Sequence, residues 1–198
     1  MSIFIYGETE IAHLKSRDKK LAAAIEEVGR IERAVNPDLF SALIDSIVGQ
    51  QISAKAAVTV GNRLYDLCGG DYKKLYTLTL EEIQSCGMSM RKAGYIKGVA
   101  EASASGEIDF ALLSEKSDDD TIKILTALPG IGIWTVEMLL IFSLQRPNVV
   151  SYGDLAIRRG MMKLYGLKEL PKEKFARYAK RYAPYGSVAS LYLWELSH

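Results

Sequence analysis

Apolar residues recur at three- and four-residue spacing along almost the whole of this 198-residue chain, and few stretches alternate strictly between apolar and polar positions. The first pattern lays a stripe along one side of a helix, whereas alternation is what a half-buried strand requires. The expected fold class is therefore all-α. Helices are predicted over Lys19 to Ile31, Leu39 to Val48, Ala54 to Leu67 behind Ser53 as N-cap, and Leu80 to Gln84 behind a Thr79 and Glu82 capping box. Others are predicted over Arg91 to Ala104 opened by Ser89 or Met90, Asp119 to Ala127 opened by Asp118, and Ile133 to Phe142. The last third adds Asp154 to Tyr165, Lys172 to Tyr182 with Pro171 near its first turn, and Ser187 to Leu196. Short breakers such as Asn36-Pro37, Gly69-Gly70, Gly87, Gly106, Pro129, Arg146-Pro147 and Pro184 separate them. No repeat of fixed period emerges, which argues against a solenoid. The start around Phe4 and Tyr6 is too short for a domain and is expected to pack on a lobe.

No apolar run approaches the roughly 20 residues of a membrane span, and the first ten residues lack a basic flank and cleavage site. A soluble intracellular protein with no membrane contact is expected. Cys68 and Cys86 stand alone, without CxxC spacing or a histidine cluster, so they read as reduced buried thiols rather than a disulfide, zinc or iron-sulfur framework. The formal net charge of +1 is uninformative, but its distribution is not. From Arg146 to Arg181 ten basic residues face three acidic ones, a local balance of +7, while acids concentrate between Glu101 and Asp120. Such asymmetry fits a surface turned to a polyanion, and it also fits ordinary solvated helix faces.

The stretch Leu128-Pro129-Gly130-Ile131-Gly132-Ile133-Trp134-Thr135 lies between two helix patterns and predicts helix, tight turn, helix. Pro129 ends the first helix, and Gly130 and Gly132 permit positive φ and close approach of the backbone to a ligand. Free amides at the start of the Ile133 helix, aligned with its dipole, suit an anion such as a phosphate. A turn of this kind grips a backbone without reading bases. Ile131 is expected to plug the hairpin into the core. A plain tight connection is the alternative reading.

This LPGIG turn, followed by an aromatic residue, a threonine and an amphipathic helix, resembles the hairpin of the helix-hairpin-helix DNA glycosylases. That superfamily is named for the hairpin, a Gly/Pro-rich loop and an aspartate about twenty residues on, which corresponds to Asp154. Ile47-Val48-Gly49-Gln50-Gln51-Ile52-Ser53-Ala54-Lys55-Ala56-Ala57 is similar to the IxGQQxSxKAA segment of the alkylpurine branch, the 3-methyladenine DNA glycosylase II type. Gly87 to Ala100, with Lys92, Ala93, Tyr95 and Ile96, resembles the middle helix of the same branch, so the likeness runs from about Phe40 to Trp194. The chain departs from the pattern at Gly153, where the superfamily often has a second acid, and it lacks the iron-sulfur cysteines of the endonuclease III branch. It also has no room for the N-terminal β-rich domain of larger relatives.

The resemblance implies a monofunctional glycosylase that flips an alkylated purine out of duplex DNA and hydrolyses its N-glycosidic bond. Asp154, which local sequence alone reads as a plain N-cap, would orient or deprotonate water and offset oxocarbenium charge. Bifunctional relatives carry a lysine nucleophile at position 134, and Trp134 cannot replace it. Its indole can instead stack on a flipped cationic base, with Met138 one turn later and Trp194 as further pocket residues or as core packing. Candidate DNA contacts are Gln50, Gln51, Ser53, Lys55, Gly130, Ile131, Gly132, Thr135, Arg158 and Arg159, with Gln51 as the wedge that fills the vacated stack. No cofactor is expected beyond a monovalent cation held by the carbonyls of Thr126, Leu128 and Ile131. The expected organisation is a middle helical lobe over 38–128 and a second lobe combining 1–37 with 129–198, with the active-site cleft between them. The expected partner is damaged double-stranded DNA, met as a monomer without obligate protein partners, in the cytoplasm or, in a eukaryote, the nucleus. Alternatives are a non-catalytic helix-hairpin-helix DNA-binding module and a glycosylase for oxidised bases.

Overall fold

The computed structural model describes residues 2–198, which form two compact units, Asn36–Leu139 and residues up to Val35 together with Leu140–His198. The fold is mostly helical, as the periodicity predicts. Among the described residues no helix is long and apolar enough to cross a membrane.

In the central unit, α3 (Leu39–Gly49), α4 (Ala54–Leu67), α5 (Leu80–Ser85), α6 (Met90–Ala104) and α7 (Asp118–Thr126) follow one another, and α8 (Ile133–Phe142) leaves it at its C-terminal end. Local caps start most of these helices. Ser53 Oγ accepts from Ala56 N–H and Ser89 Oγ accepts from Lys92 N–H, while Thr79 and Glu82 form a reciprocal capping box. The cap of α7 is Ser117 rather than the expected Asp118, because the serine hydroxyl reaches Asp120 N–H and leaves Asp118, Asp119 and Asp120 in the first turn, where the helix dipole favours acids. Leu43, Ile44, Ile47, Leu64, Leu75, Ile83, Ile96 and Leu113 are fully buried and form the core. Short stretches of 3₁₀ helix at Tyr72–Thr77 and Leu112–Glu115, absent from the sequence reading, seal its edges with Leu75 and Leu113.

The terminal unit opens with β1 (Ser2–Ile3), antiparallel to β2 (Ala34–Val35) in the register Ser2 to Val35 and Ile3 to Ala34. Between them run α1 (Glu8–Arg17) and α2 (Lys19–Val28). Helix α1 carries only two buried residues, Ile11 and Leu14, too few to give a periodic signal, and Glu10 closes its start by accepting from Gly7 N–H at 2.8 Å. Helix α2 ends at Val28 instead of Ile31 because Gly29 turns the chain away. Tyr6, expected to pack on a lobe, donates its hydroxyl to Ile31 O at 2.8 Å and accepts from Ile31 N–H at 2.9 Å, so the start is fastened to the strand approach.

Asp18 caps α2 with Oδ1, accepting from Lys20 and Leu21 N–H, and its Oδ2 accepts from the Tyr165 hydroxyl at 2.6 Å and from Arg181 at 3.2 Å. This one carboxylate thereby ties α2 to α9 (Leu155–Tyr165) and α10 (Lys172–Tyr182). Helix α11 (Gly186–Leu196) is buried along nearly its whole length and packs chiefly on α9. The two backbones approach so closely that a Cβ on Gly160 would lie 1.9 Å from the Leu193 carbonyl oxygen.

The division of the chain differs from the expected lobes. Residues 129–139, expected with the second lobe, belong to the central unit. The reason lies in their contacts: Gly130 is packed on Tyr95 of α6, its carbonyl accepts from Gln50 Nε2, and Ile131 is buried.

Candidate active site

The hairpin joins α7 to α8 through Ala127–Gly132, with Leu128 N–H donating to Leu125 O and Ile131 N–H donating to Leu128 O at 3.3 Å. Gly130 has φ +80°, and a Cβ there would meet the Tyr95 ring at 2.2 Å. The close approach predicted at Gly130 is thus made to an aromatic ring of the same unit. Gly132 departs from expectation, since its φ is not positive and a Cβ would meet nothing within 4 Å. What glycine does supply there is the lack of a side-chain acceptor, so Gly132 cannot cap α8 with its own side chain, and the positive end of the helix dipole starts on the exposed residues Gly132, Ile133 and Trp134. Ile131 is buried, as expected of a plug, and Thr135 is buried as well. Any contact that Ile131 or Thr135 makes with DNA falls to their backbone.

Trp134 lies on the first turn of α8 and is 46% exposed, an uncommon degree for so large an aromatic side chain. Met138, one turn later on the same helix, is half-buried. The second candidate loop lies at the end of α3. Gln50 reaches across to the hairpin, donating Nε2 to Gly130 O at 3.1 Å, and Gln51 is exposed with a left-handed backbone at φ +57°. Ser53 spends its hydroxyl on capping α4, while Lys55 is exposed. These loops, sequence-separated by about eighty residues, are joined by a direct hydrogen bond within the central unit.

In the terminal unit the segment Arg146–Val150 is stitched to the first turns of α11. Ser187 Oγ donates to Arg146 O and accepts from Val149 N–H at 3.0 Å, and Ser190 Oγ donates to Val149 O at 3.0 Å. The loop then reaches Asp154, which is 8% exposed and caps α9 by accepting from Ile157 N–H at 2.9 Å through Oδ1. The N-cap reading of Asp154 is therefore correct as local structure. A side chain so held has its carboxylate at one fixed place. Arg158 is half-buried with its guanidinium 5.2 Å from the Tyr152 ring centre, and Tyr152 in turn packs edge-on against Phe175. Arg159 is exposed.

Trp194 is half-buried and stands 5.3 Å from Phe142, the two rings tilted by 31°. Together with Arg33, Ala34, Ala156, Ser197 and His198 they line a pocket of about 510 Å³. Phe142 escaped the sequence reading because α8, expected to be amphipathic, is apolar at every position but Thr135 and Glu137, so its sequence marks no single apolar residue as different. Ser187 and Ser190 escaped it for a related reason, since a serine in an apolar helix carries no sign of the carbonyl it will bond. Among the described residues no group of three or more His, Cys, Asp or Glu is arranged to hold a metal ion.

Residues 44–184 match the HhH-GPD superfamily of base excision DNA repair proteins. The chain belongs to that superfamily. A DNA-3-methyladenine glycosylase of Schizosaccharomyces pombe is 34% identical over 194 residues, which cover 93% of this chain and 85% of the relative. Among solved structures, a DNA-3-methyladenine glycosidase of Bacillus halodurans superposes with a TM-score of 0.89 at 38% identity, over 100% of this chain and 93% of that one. The Schizosaccharomyces pombe 3-methyladenine DNA glycosylase in complex with abasic DNA gives 0.82 at 32% identity, covering 94% and 95% of the two chains. Within the HhH-GPD superfamily this chain falls in the 3-methyladenine glycosylase branch, and its mostly helical architecture is that of the superfamily.

Proposed function

We propose that this protein is a monofunctional DNA glycosylase that removes alkylated purines, of the 3-methyladenine and 7-methylguanine type, from duplex DNA in base excision repair. The observation that carries the reading is Trp134: the first turn after the hairpin presents a half-exposed indole where an amine would be needed for a Schiff base. The similarity to 3-methyladenine glycosylases over nearly the whole chain supports the same assignment.

The chemistry follows from the leaving group. Alkylation at N3 or N7 places positive charge on the purine, so the C1′–N9 bond breaks with its electron pair returning to the base, which departs neutral. The sugar is left as an oxocarbenium ion. Asp154 offsets that charge with a carboxylate whose orientation is fixed by the Ile157 amide, so little reorganisation is needed as charge develops. Water adds to C1′ and yields its proton, with Asp154 as the acceptor. Trp134 stacks its π face on the cationic purine, an attraction of about 0.5 to 2 kcal/mol that a neutral base does not obtain. With so good a leaving group, no acid is required on the base.

The DNA backbone is held at the outward-facing start of α8 and by Lys55 and Arg159, both exposed, whereas Arg158 is occupied by Tyr152. Gln51, exposed on a left-handed turn, is the wedge candidate. A monovalent cation at the carbonyls of Thr126, Leu128 and Ile131 fits the donor set, since carbonyl oxygens suit such ions and Leu128 O retains a second lone pair beside its bond from Ile131 N–H.

The test is a lesion panel: duplexes carrying methylated purines, hypoxanthine and 8-oxoguanine, with released bases resolved by chromatography. Release of methylated purines without strand cleavage is expected. Release of 8-oxoguanine alone would point to an oxidised-base enzyme, and DNA binding with no release from any duplex would leave only a binding module.

A further inference from the structure

Helix α6 touches both loops of the central unit with residues three positions apart, Lys92 and Tyr95, which lie on one face of the helix. The Lys92 ammonium donates to Val48 O at 2.8 Å. Val48 is in the last turn of α3, where carbonyls have no intrahelical partner and the dipole is negative, so a cation there both satisfies the acceptor and fixes the exit of the chain into Gly49–Gln51. The Tyr95 ring fills the space that a side chain on Gly130 would take, 2.2 Å from where its Cβ would stand. Gln50 closes the triangle by donating to Gly130 O at 3.1 Å. Within this frame Gln51 holds φ +57°, a conformation that a residue with a Cβ adopts only when its surroundings impose it. Burial also lowers the Lys92 pKa from its ordinary value, in keeping with an ammonium turned into the protein rather than toward solvent.

We propose that Lys92 and Tyr95 are positioning residues that lock the Gln51 loop and the hairpin into one rigid frame, so that the wedge enters the duplex at a fixed distance from the phosphate-gripping amides. The proposal rests on the glycosylase reading above. It assigns α6 a part in base flipping without contact with DNA. Lys92 acts through the backbone of α3, and Tyr95 through Gly130.

The experiment compares single-turnover release of a methylated purine from two substrates, one with the lesion paired in a duplex and one with it unpaired in a bulge, where extrusion costs little. Lys92→Met keeps the length and apolar stem but removes the donor. It is expected to slow release from the paired lesion by roughly tenfold, the scale of coupling between contacting residues, while the bulged lesion is processed at close to the wild-type rate. Lys92→Arg, which still offers a donor to Val48 O, should recover most of the loss. Gln51→Gly should mimic Lys92→Met, and the double variant should be no slower than the worse single one. The dependence of binding on salt should keep its slope, because Lys92 is engaged with a carbonyl. Equal loss on both substrates, together with a lowered melting temperature, would reduce Lys92 to a stability residue and overturn the proposal. So would a salt slope shallower by about one unit, the mark of a lost phosphate contact. If the wild-type protein releases no base from either substrate, the glycosylase reading itself has failed, an outcome distinct from any of these.

Discussion

The starts of α8 and α9 are the same structural device put to opposite electrical uses. Before α8 stands Gly132, which brings no side-chain acceptor to the first-turn amides, and the helix starts on exposed residues, Gly132 to Trp134. Before α9 stands Asp154, whose carboxylate accepts from Ile157 N–H and brings a negative charge to the same position. By charge alone the first start favours an anion and the second a cation, which is the division of labour that the proposed reaction needs. The contrast shows that the residue at the cap, and not the helix that follows, decides what a helix start can do.

The comparison is broken most severely by removing charge at α9. Asp154→Asn retains an acceptor for Ile157 N–H, so stability should change by less than about 0.5 kcal/mol, whereas Asp154→Ala should cost about 1 kcal/mol. Both should lose base release by about 10²-fold to 10³-fold, measured in single turnover beside denaturant titrations. An Asn variant that excised normally would make Asp154 a cap and nothing more. Gly130→Ala comes next. Its φ of +80° and the Tyr95 ring leave no room for a methyl group, and a loss of about 1 to 3 kcal/mol is expected, read from the urea midpoint.

Asp18 sharpens the contrast as a control, being a buried N-cap aspartate engaged with Tyr165 and Arg181 and far in sequence from the hairpin. Burial works to raise its pKa, but the bonds from Tyr165, Leu21, Arg181 and Lys20 outweigh it and hold the group below its ordinary value. In the folded state it therefore stays ionised at pH values where the unfolded chain, with a pKa near ~3.9, has begun to bind the proton. Its contribution is fully present above that value and is lost as pH falls through the lower folded one. Denaturant titrations between about pH 2.5 and 7 should show this decline in the wild type and a flatter profile in Asp18→Asn, with base release per folded molecule unchanged at neutral pH. The smallest effect is expected at Gly132→Ala. Neither space nor φ opposes the methyl group there, so stability should stay within about 0.5 kcal/mol, and a large destabilisation would show that the turn needs glycine for its conformation after all.

The helices were legible because their beginnings are written locally: Ser53, Ser89 and the Thr79 and Glu82 pair cap where their spacing says they should. What failed to show in the sequence depended on distant partners or on sparse burial. Helix α1 buries two residues and gives no period, and the assignment of the hairpin to the central unit rests on Gln50 and Tyr95, neither of which announces Gly130 as its partner. In the candidate site, the motif pointed to Asp154 and Trp134, but position alone could not tell that Gly130 packs on an aromatic ring while a Cβ on Gly132 would meet nothing. Arg158 illustrates the same limit from the other side, since its charge was legible and its engagement with Tyr152 was not.

The two cysteines acquire a meaning from the proposed task. Cys68 and Cys86 are both buried, and burial raises the pKa of each thiol, so neither offers a sulfur anion to the surroundings. Electrophiles that methylate purines attack thiolates far more readily than thiols. A repair protein must survive the very exposure that creates its substrate, and this one keeps its sulfhydryls protonated and out of reach.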